Sequence, residues 1–279
     1  MKRPFAAWLF LAPALALLAV FAFWPVLFGS VLAFTDFSLV RPTHWVGLDN
    51  FRAIFHNEMF VTGLKNSLVF LLIVPCVQLG AIALAVLVNN QLPGIRLFRA
   101  AYYVPVVTTV SVVGIMWGFM FHEQGALNYI LGTRIGWLQD DTFALAAIMF
   151  VTLWRGLGWY MVMYLAALQS VPQEMQEAAI LDGAGRWQRF WHITVPMLRP
   201  TIMVCTILSV LGALKAYQEV DVLTQGGPMN STFTALYYAY DQGLKHLKLP
   251  RALAASFIVS LICIGIALLC LRYLKPKNR

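Results

Sequence analysis

Apolar side chains along this chain are gathered into long blocks instead of recurring at the amphipathic spacing of a helix that covers a soluble core. Several blocks exceed the ~18–20 residues a helix needs to cross a hydrocarbon layer. The pattern predicts six spans, at about Trp8 to Phe34, Ser67 to Val88, Ala101 to Phe121, Phe143 to Leu168, Pro200 to Tyr217 and Leu253 to Leu274. Lys2 and Arg3 ahead of the first block give it the outline of a signal peptide. Its apolar run is about twice the length of an h-region and has no clear small-x-small cleavage site, so it is expected to stay as a membrane helix. Composition agrees, because 60% of the residues are hydrophobic and 11% charged, against ~45–50% and ~25% in soluble domains. The expected fold is an all-α membrane protein, with residues 1–279 forming a single transmembrane domain.

Charge fixes the expected orientation, since translocation disfavours Lys and Arg. With the N-terminus inside, eleven of the twenty basic residues face the cytoplasm: Lys2, Arg3, Arg96, Arg99, Arg186, Arg189, Arg199, Arg272, Lys275, Lys277 and Arg279. Seven lie outside: Arg41, Arg52, Lys65, Arg134, Lys245, Lys248 and Arg251. Arg155 and Lys215 fall within or at the edge of spans. Of the twelve acidic residues only Glu174, Glu177 and Asp182 are inside, so both termini are expected in the cytoplasm. The net charge of +8 then points to anionic membrane lipid and not to nucleic acid. Cys76, Cys205, Cys263 and Cys270 sit in apolar blocks with no close pairing partner or histidine, which suits packing and not disulfides or metal binding.

Candidate chemistry is sparse. No predicted span carries Asp or Glu near its centre, which removes the usual proton or sodium relay of a secondary transporter. No His-Glu-x-x-His, Gly-x-Ser-x-Gly or phosphate-cradling Gly-rich loop ending in Lys-Ser or Lys-Thr is present. The chain is therefore not expected to be an enzyme, and energy for uphill transport would come from another subunit.

The most informative segment is the inner connection from Gln169 to Arg199. Pro172 ends the preceding helix, and QEMQEAAILDGAG favours a helix until Gly183 and Gly185 stop it. Glu174 and Glu177 are expected in its first turn, complementing the helix dipole. RWQRFWHIT is expected to form a second short helix before Val195-Pro196 bends the chain into the membrane. Ala178 and Ala179 leave a low surface for a partner's close approach, and Gly183 can adopt a backbone shape that other residues avoid.

Glu177-Ala178-Ala179, then Gly183, then Ile193-Thr194-Val195-Pro196 resembles the EAA loop of ATP-binding-cassette importer permeases, with Val195 where leucine is usual. The resemblance covers nearly the whole chain and points to the carbohydrate branch, which includes maltose, lactose and glycerol-phosphate importers. Trp45 to Phe51 looks like that branch's first outer loop, and Leu97-Phe98-Arg99-Ala100 with Tyr102 and Pro105 looks like its third-span entry. Leu223-Thr224-Gln225-Gly226-Gly227-Pro228 looks like the outer loop before its last helix.

The resemblance implies a permease subunit in a bacterial or archaeal cytoplasmic (inner) membrane. It would form half of a pathway with a second permease, two ATPase subunits and a periplasmic or lipid-anchored solute-binding protein. ATP and Mg would be held by the ATPases, with no cofactor on this chain. Glu177, Ala178, Ala179, Gly183, Ile193 and Pro196 would couple to the ATPase, although Glu177 also fits a purely dipolar role. The substrate path would involve Tyr102, Arg155, Trp159, Tyr160, Lys215, Tyr217, Gln218 and Glu219, with Gly226, Gly227 and Pro228 in the outer loop. Arg155, near mid-span, either faces the path or pairs with a carboxylate or backbone carbonyls. Lys215 and Glu219 are spaced to pair with each other on a helix, and Trp159 and Tyr160 to face different sides, so that at most one lines the path. The competing reading is an ATPase-independent channel or facilitator whose inner loop only touches lipid.

Overall fold

The computed structural model describes residues 4–38, 40–89 and 93–274. Lys2, Arg3, Lys275, Lys277 and Arg279, which weigh in the expected orientation, lie outside the described residues. Among the described residues the chain is helical apart from loops and one isolated bridge between Thr35 and Trp45.

The elements in chain order are α1 (Trp8–Leu32), α2 (Asp49–Phe55), α3 (Glu58–Val88), α4 (Ile95–Val107), α5 (Val110–Met120) and α6 (Ala126–Leu131). They continue with α7 (Asp141–Gln169), α8 (Gln173–Leu181), α9 (Arg186–Leu214), α10 (Gln218–Leu223), α11 (Ala235–Tyr240) and α12 (Leu249–Leu274). Five of these, α1, α3, α7, α9 and α12, are long and apolar enough to cross a membrane, and the bent pair α4 and α5 makes six if the two count as one broken span.

Three boundaries differ from the sequence pattern. The span expected over Ala101 to Phe121 is not one helix, because α4 and α5 meet at 104°. Thr108 and Thr109 are extended at the break, next to a β-branched run that loses side-chain freedom in a helix and to Pro105, which lacks an N–H. Tertiary packing also holds α5 in its new direction. A Cβ on Gly114 would lie 2.2 Å from Val222 on α10, and Trp117 packs against Phe121, Phe150 and Trp154.

The second difference is that α9 runs unbroken from Arg186, so Val195-Pro196 does not turn the chain. A π-turn over Phe190–Thr194 precedes the proline, and this wider turn contains the His192 carbonyl that Pro196 cannot serve. The third is that α3 begins at Glu58, nine residues before the expected Ser67. There the Asn57 side chain accepts from the N–H groups of Met59 and Phe60 at 3.0 and 3.4 Å, which caps a helix that hydropathy alone starts later.

Small residues set how closely the spans approach. A Cβ on Gly158 of α7 would sit 2.0 Å from the Tyr102 carbonyl oxygen of α4. One on Gly63 of α3 would sit 2.8 Å from the Thr234 backbone. That outer segment is stitched down by Asn66, whose amide donates to the carbonyls of Ser231 and Phe233 at 2.6 and 2.8 Å, and by Ser67, which accepts from Ala235 N–H at 3.0 Å. The resulting core has one part around Phe60, Phe70, Tyr237 and Tyr238 and another around Ala81, Tyr164, Leu198 and Cys205. By contrast none of the spanning window of α1 is buried, and the helix meets α12 near its C-terminal end, where a Cβ on Gly29 would lie 3.3 Å from Leu253.

Gly158→Val should separate α4 from α7, because its first added carbon already overlaps backbone. Overpacking of this kind costs about 1–3 kcal/mol or more. Fluorescence-detected size exclusion should show the loss of a monodisperse species, whereas Gly212→Ala, with open space at its Cβ, should behave as the parent.

Candidate functional site

The Asp140 side chain starts α7 by accepting from Thr142 N–H at 2.8 Å, and the helix then runs for 29 residues with Arg155 at its centre. A guanidinium at that depth needs compensation. It comes from Glu219 at the start of α10, where Arg155 Nη1 donates to Glu219 Oε1 at 2.6 Å with side chains 21% and 13% exposed. Of the two roles open to Arg155, carboxylate pairing is thus present, and the residue also faces a cavity. Its Nε is buried and has no hydrogen-bond partner among the described residues.

The expected pairing of Lys215 with Glu219 does not form. Helix α9 ends at Leu214 and α10 begins at Gln218, with Lys215 and Tyr217 in non-helical conformations between them. The i, i+4 geometry that the pairing required is therefore absent. Thr234 Oγ1 holds this break by donating to the Ala216 carbonyl at 2.5 Å.

Arg155, Trp159, Tyr160, Lys215, Tyr217, Gln218 and Glu219 all line one cavity of about 520 Å3 bounded by α3, α4, α7, α9 and α10. Trp159 and Tyr160 both reach it, contrary to the expectation that at most one would. The cavity wraps around α7 between α3 and α4, wide enough to meet adjacent helix positions. Tyr102 is the exception among the eight path residues. Its ring meets Phe98 at 4.7 Å, tilted by 44°, with its carbonyl against Gly158, while Val106, one turn later, lines the cavity instead. Thr152 and Ser209 add hydroxyls that sequence reasoning missed. Each lies three residues from another polar residue in an apolar block, Thr152 from Arg155 and Ser209 from Thr206, which is the signal the sequence offers.

The loop expected on the outer side follows directly on α10. Gly226 has φ +87°, and a Cβ there would lie 2.3 Å from the Phe233 ring, so only glycine fits. The Gly227 N–H donates to the Thr224 carbonyl at 2.9 Å, and Thr232 Oγ1 donates to the Gly227 carbonyl at 2.7 Å. Pro228 continues this turn, its carbonyl accepting from Ser231 N–H at 2.8 Å.

At the other end of α7 lies the short helix α8. Glu174 occupies its first turn, but Glu177 does not. The dipole field falls off within one turn, so the dipolar role fits Glu174 and not Glu177, which is exposed together with Ala178. Gly183 closes α8 with φ +79°, and Ala184 N–H returns to the Ala179 carbonyl at 2.9 Å, an arrangement that uses glycine's access to positive φ. Gln176 Nε2 donates to Thr194 Oγ1 at 3.3 Å, tying α8 to the base of α9. Ile193 and Pro196 are half-buried beside that contact.

Removing one partner of the Arg155–Glu219 pair should be costly, since an uncompensated buried charge costs about 3–5 kcal/mol. Arg155→Leu and Glu219→Leu should each lower the yield of folded protein or its transport, and the double Leu variant should recover folding more than either single. A double variant that loses as much as the two singles combined would show that the pair is not coupled.

Comparison with known proteins gives a consistent placement. Residues 4–279 match the family described as the binding-protein-dependent transport system inner membrane component. The lactose transport system permease protein LacF of Rhizobium radiobacter is 35% identical over 269 residues, covering 91% of this chain and 89% of that protein. The sn-glycerol-3-phosphate transport system permease protein UgpA of Yersinia enterocolitica is 30% identical, with 98% and 95% covered. Among solved structures, a chain of a bacterial ABC transporter involved in the import of the acidic polysaccharide alginate superposes with a TM-score of 0.86. It covers 100% of this chain and 98% of its own at 23% identity, which establishes the shared fold. The chain belongs to the family of binding-protein-dependent transport system inner membrane components, as a multi-pass permease subunit of an ABC importer.

Proposed function

We propose that this subunit forms half of the translocation pathway of an importer for a carbohydrate or related polyol, and that α8 couples it to an ATPase. Both termini and the 169–199 connection then lie in the cytoplasm. The observation that carries this reading is the state of α8. At nine residues it is too short to be stable alone in water. Yet beyond its single tie through Gln176 it leaves Met175, Ile180 and Leu181 44%, 54% and 89% exposed. A short helix with exposed apolar residues at the end of the molecule suits docking into a groove on a partner. In this reading Glu177 offers a charge to that partner, Ala178 and Ala179 permit close approach, and Gly183, Ile193 and Pro196 fix the helix against α9.

The cavity supports the substrate class. Aromatic faces of Trp159 and Tyr217 suit the apolar faces of sugar rings, and Gln218, Thr152 and Ser209 suit hydroxyls. The named solutes of the relatives, lactose and glycerol-3-phosphate, fall in the same chemical range. A second permease would complete the pathway, two ATPases would hold ATP and Mg, and a solute-binding protein would deliver substrate from outside. An alginate transporter of this fold was crystallised with its oligosaccharide-bound periplasmic protein, which favours that delivery route.

Affinity purification of the tagged chain in mild detergent should recover an ATPase and a second permease. Recovery of the chain alone, under conditions that keep comparable importers intact, would favour an ATPase-independent channel. Gly183→Val should uncouple ATP hydrolysis from transport with the spans still inserted, because a β-branched residue in left-handed backbone costs about 1–2 kcal/mol. Gly183→Asn, which tolerates that backbone, should keep more of the coupling, and equal transport by the two variants would contradict the role given to Gly183.

A further inference from the structure

A cleft of about 1240 Å3 opens at the inner end of the molecule between the end of α7, α8 and the starts of α4 and α9. Its charged lining consists of Arg96, Arg99, Arg186 and Arg189, with no Asp or Glu. Among the described residues none of these four arginines is in an ion pair. The Nε atoms of Arg99 and Arg189 are buried without hydrogen-bond partners. Cations concentrated in a cleft without carboxylates attract an anion strongly.

A second observation narrows the anion. An apolar groove of about 1090 Å3 runs along the outer face of α3 and α9, over Leu79, Ala83 and Ile202. Val86, Arg186 and Phe190 line both the groove and the cleft, so the two are continuous. Trp187 and Trp191 stand at the junction, 73% and 55% exposed, where amphipathic rings sit at headgroup level. A cationic mouth leading into an apolar trough matches the two parts of a phospholipid and does not match a free anion or an apolar helix.

We propose that this composite site binds an anionic phospholipid, with its phosphate among Arg96, Arg186 and Arg189 and an acyl chain along α3 and α9. Basic pockets between spans on the cytoplasmic side are a known form of lipid recognition. The inference rests on the cytoplasmic placement of the 169–199 connection. Because Arg186 and Arg189 begin the helix to which Gln176 ties α8, a bound lipid would brace the coupling helix against α3 and make coupling respond to membrane composition.

The assembled importer, exchanged into phosphatidylcholine nanodiscs containing a minor share of phosphatidylglycerol, tests this by native mass spectrometry of retained lipid. The parent complex should retain phosphatidylglycerol in preference to phosphatidylcholine, and excess inorganic phosphate should not displace it. The double variant Arg186→Gln, Arg189→Gln should lose that preference, by roughly fivefold for each arginine removed. Ala83→Trp, which fills the groove from an exposed position, should reduce retention of both lipids. A parent complex without headgroup preference would overturn the proposal, whether or not the variants assemble. Full displacement by phosphate would assign the cleft to a free anion. A cross-link from Ala83→Cys to the second permease would assign the groove to protein. Loss of the ATPase on purification would contradict the proposed function while leaving lipid retention measurable on this chain.

Discussion

One buried amide holds the membrane part of this molecule together. Gln78 on α3 donates to the Cys205 carbonyl at 3.0 Å and to Ser209 Oγ at 2.8 Å, both on α9, and its Oε1 accepts from Tyr164 OH on α7. At 7% exposure it has no water to turn to, and an unpaired amide in an apolar medium costs about 2–7 kcal/mol. Every displacement of α3, α7 or α9 relative to the others breaks part of that knot. The three helices therefore form a common frame, against which the mouth of the cavity and the inner loop are positioned.

Charge obeys the same constraint midway along α7. Arg155 can occupy the middle of α7 because the break after Leu214 brings Glu219 back to meet it. The break in turn depends on Thr234 holding Ala216, and on Asn66 and Ser67 holding the segment that contains Thr234. The cavity is thus shaped by polar contacts that span the chain from α3 to α11. The continuous helix α9 links Ser209 in the knot to Thr194, the residue to which Gln176 ties α8. In the proposed coupling, a movement imposed on α8 would travel to the cavity along this one helix.

The long apolar blocks reveal the spans because lipid demands helices of a minimum length, and the loop around Glu177 and Gly183 is legible because its residues are local in sequence. What the chain did not disclose arises from contacts distant in sequence. The spacing of Lys215 and Glu219 allows a pair four residues apart, whereas Glu219 meets Arg155, 64 residues away. The 104° bend between α4 and α5 depends on Val222 meeting Gly114, which no local pattern encodes. Continuity of α9 through Pro196 also escaped, because a proline reads as a break unless a π-turn precedes it. Tyr102 lies on the same face of α4 as cavity-lining Val106 but one turn earlier, where its carbonyl meets Gly158 of α7.

The central claim is that α8 engages an ATPase. Its most direct test is a photo-crosslinking amino acid placed at position 178 in cells expressing the whole transport system. Engagement of an ATPase by α8 should give a single adduct whose mass equals this chain plus one ATPase subunit, and no such adduct from position 130 on α6. Labelling from position 178 that yields only lipid adducts, or ATPase adducts that form equally from position 130, would contradict it.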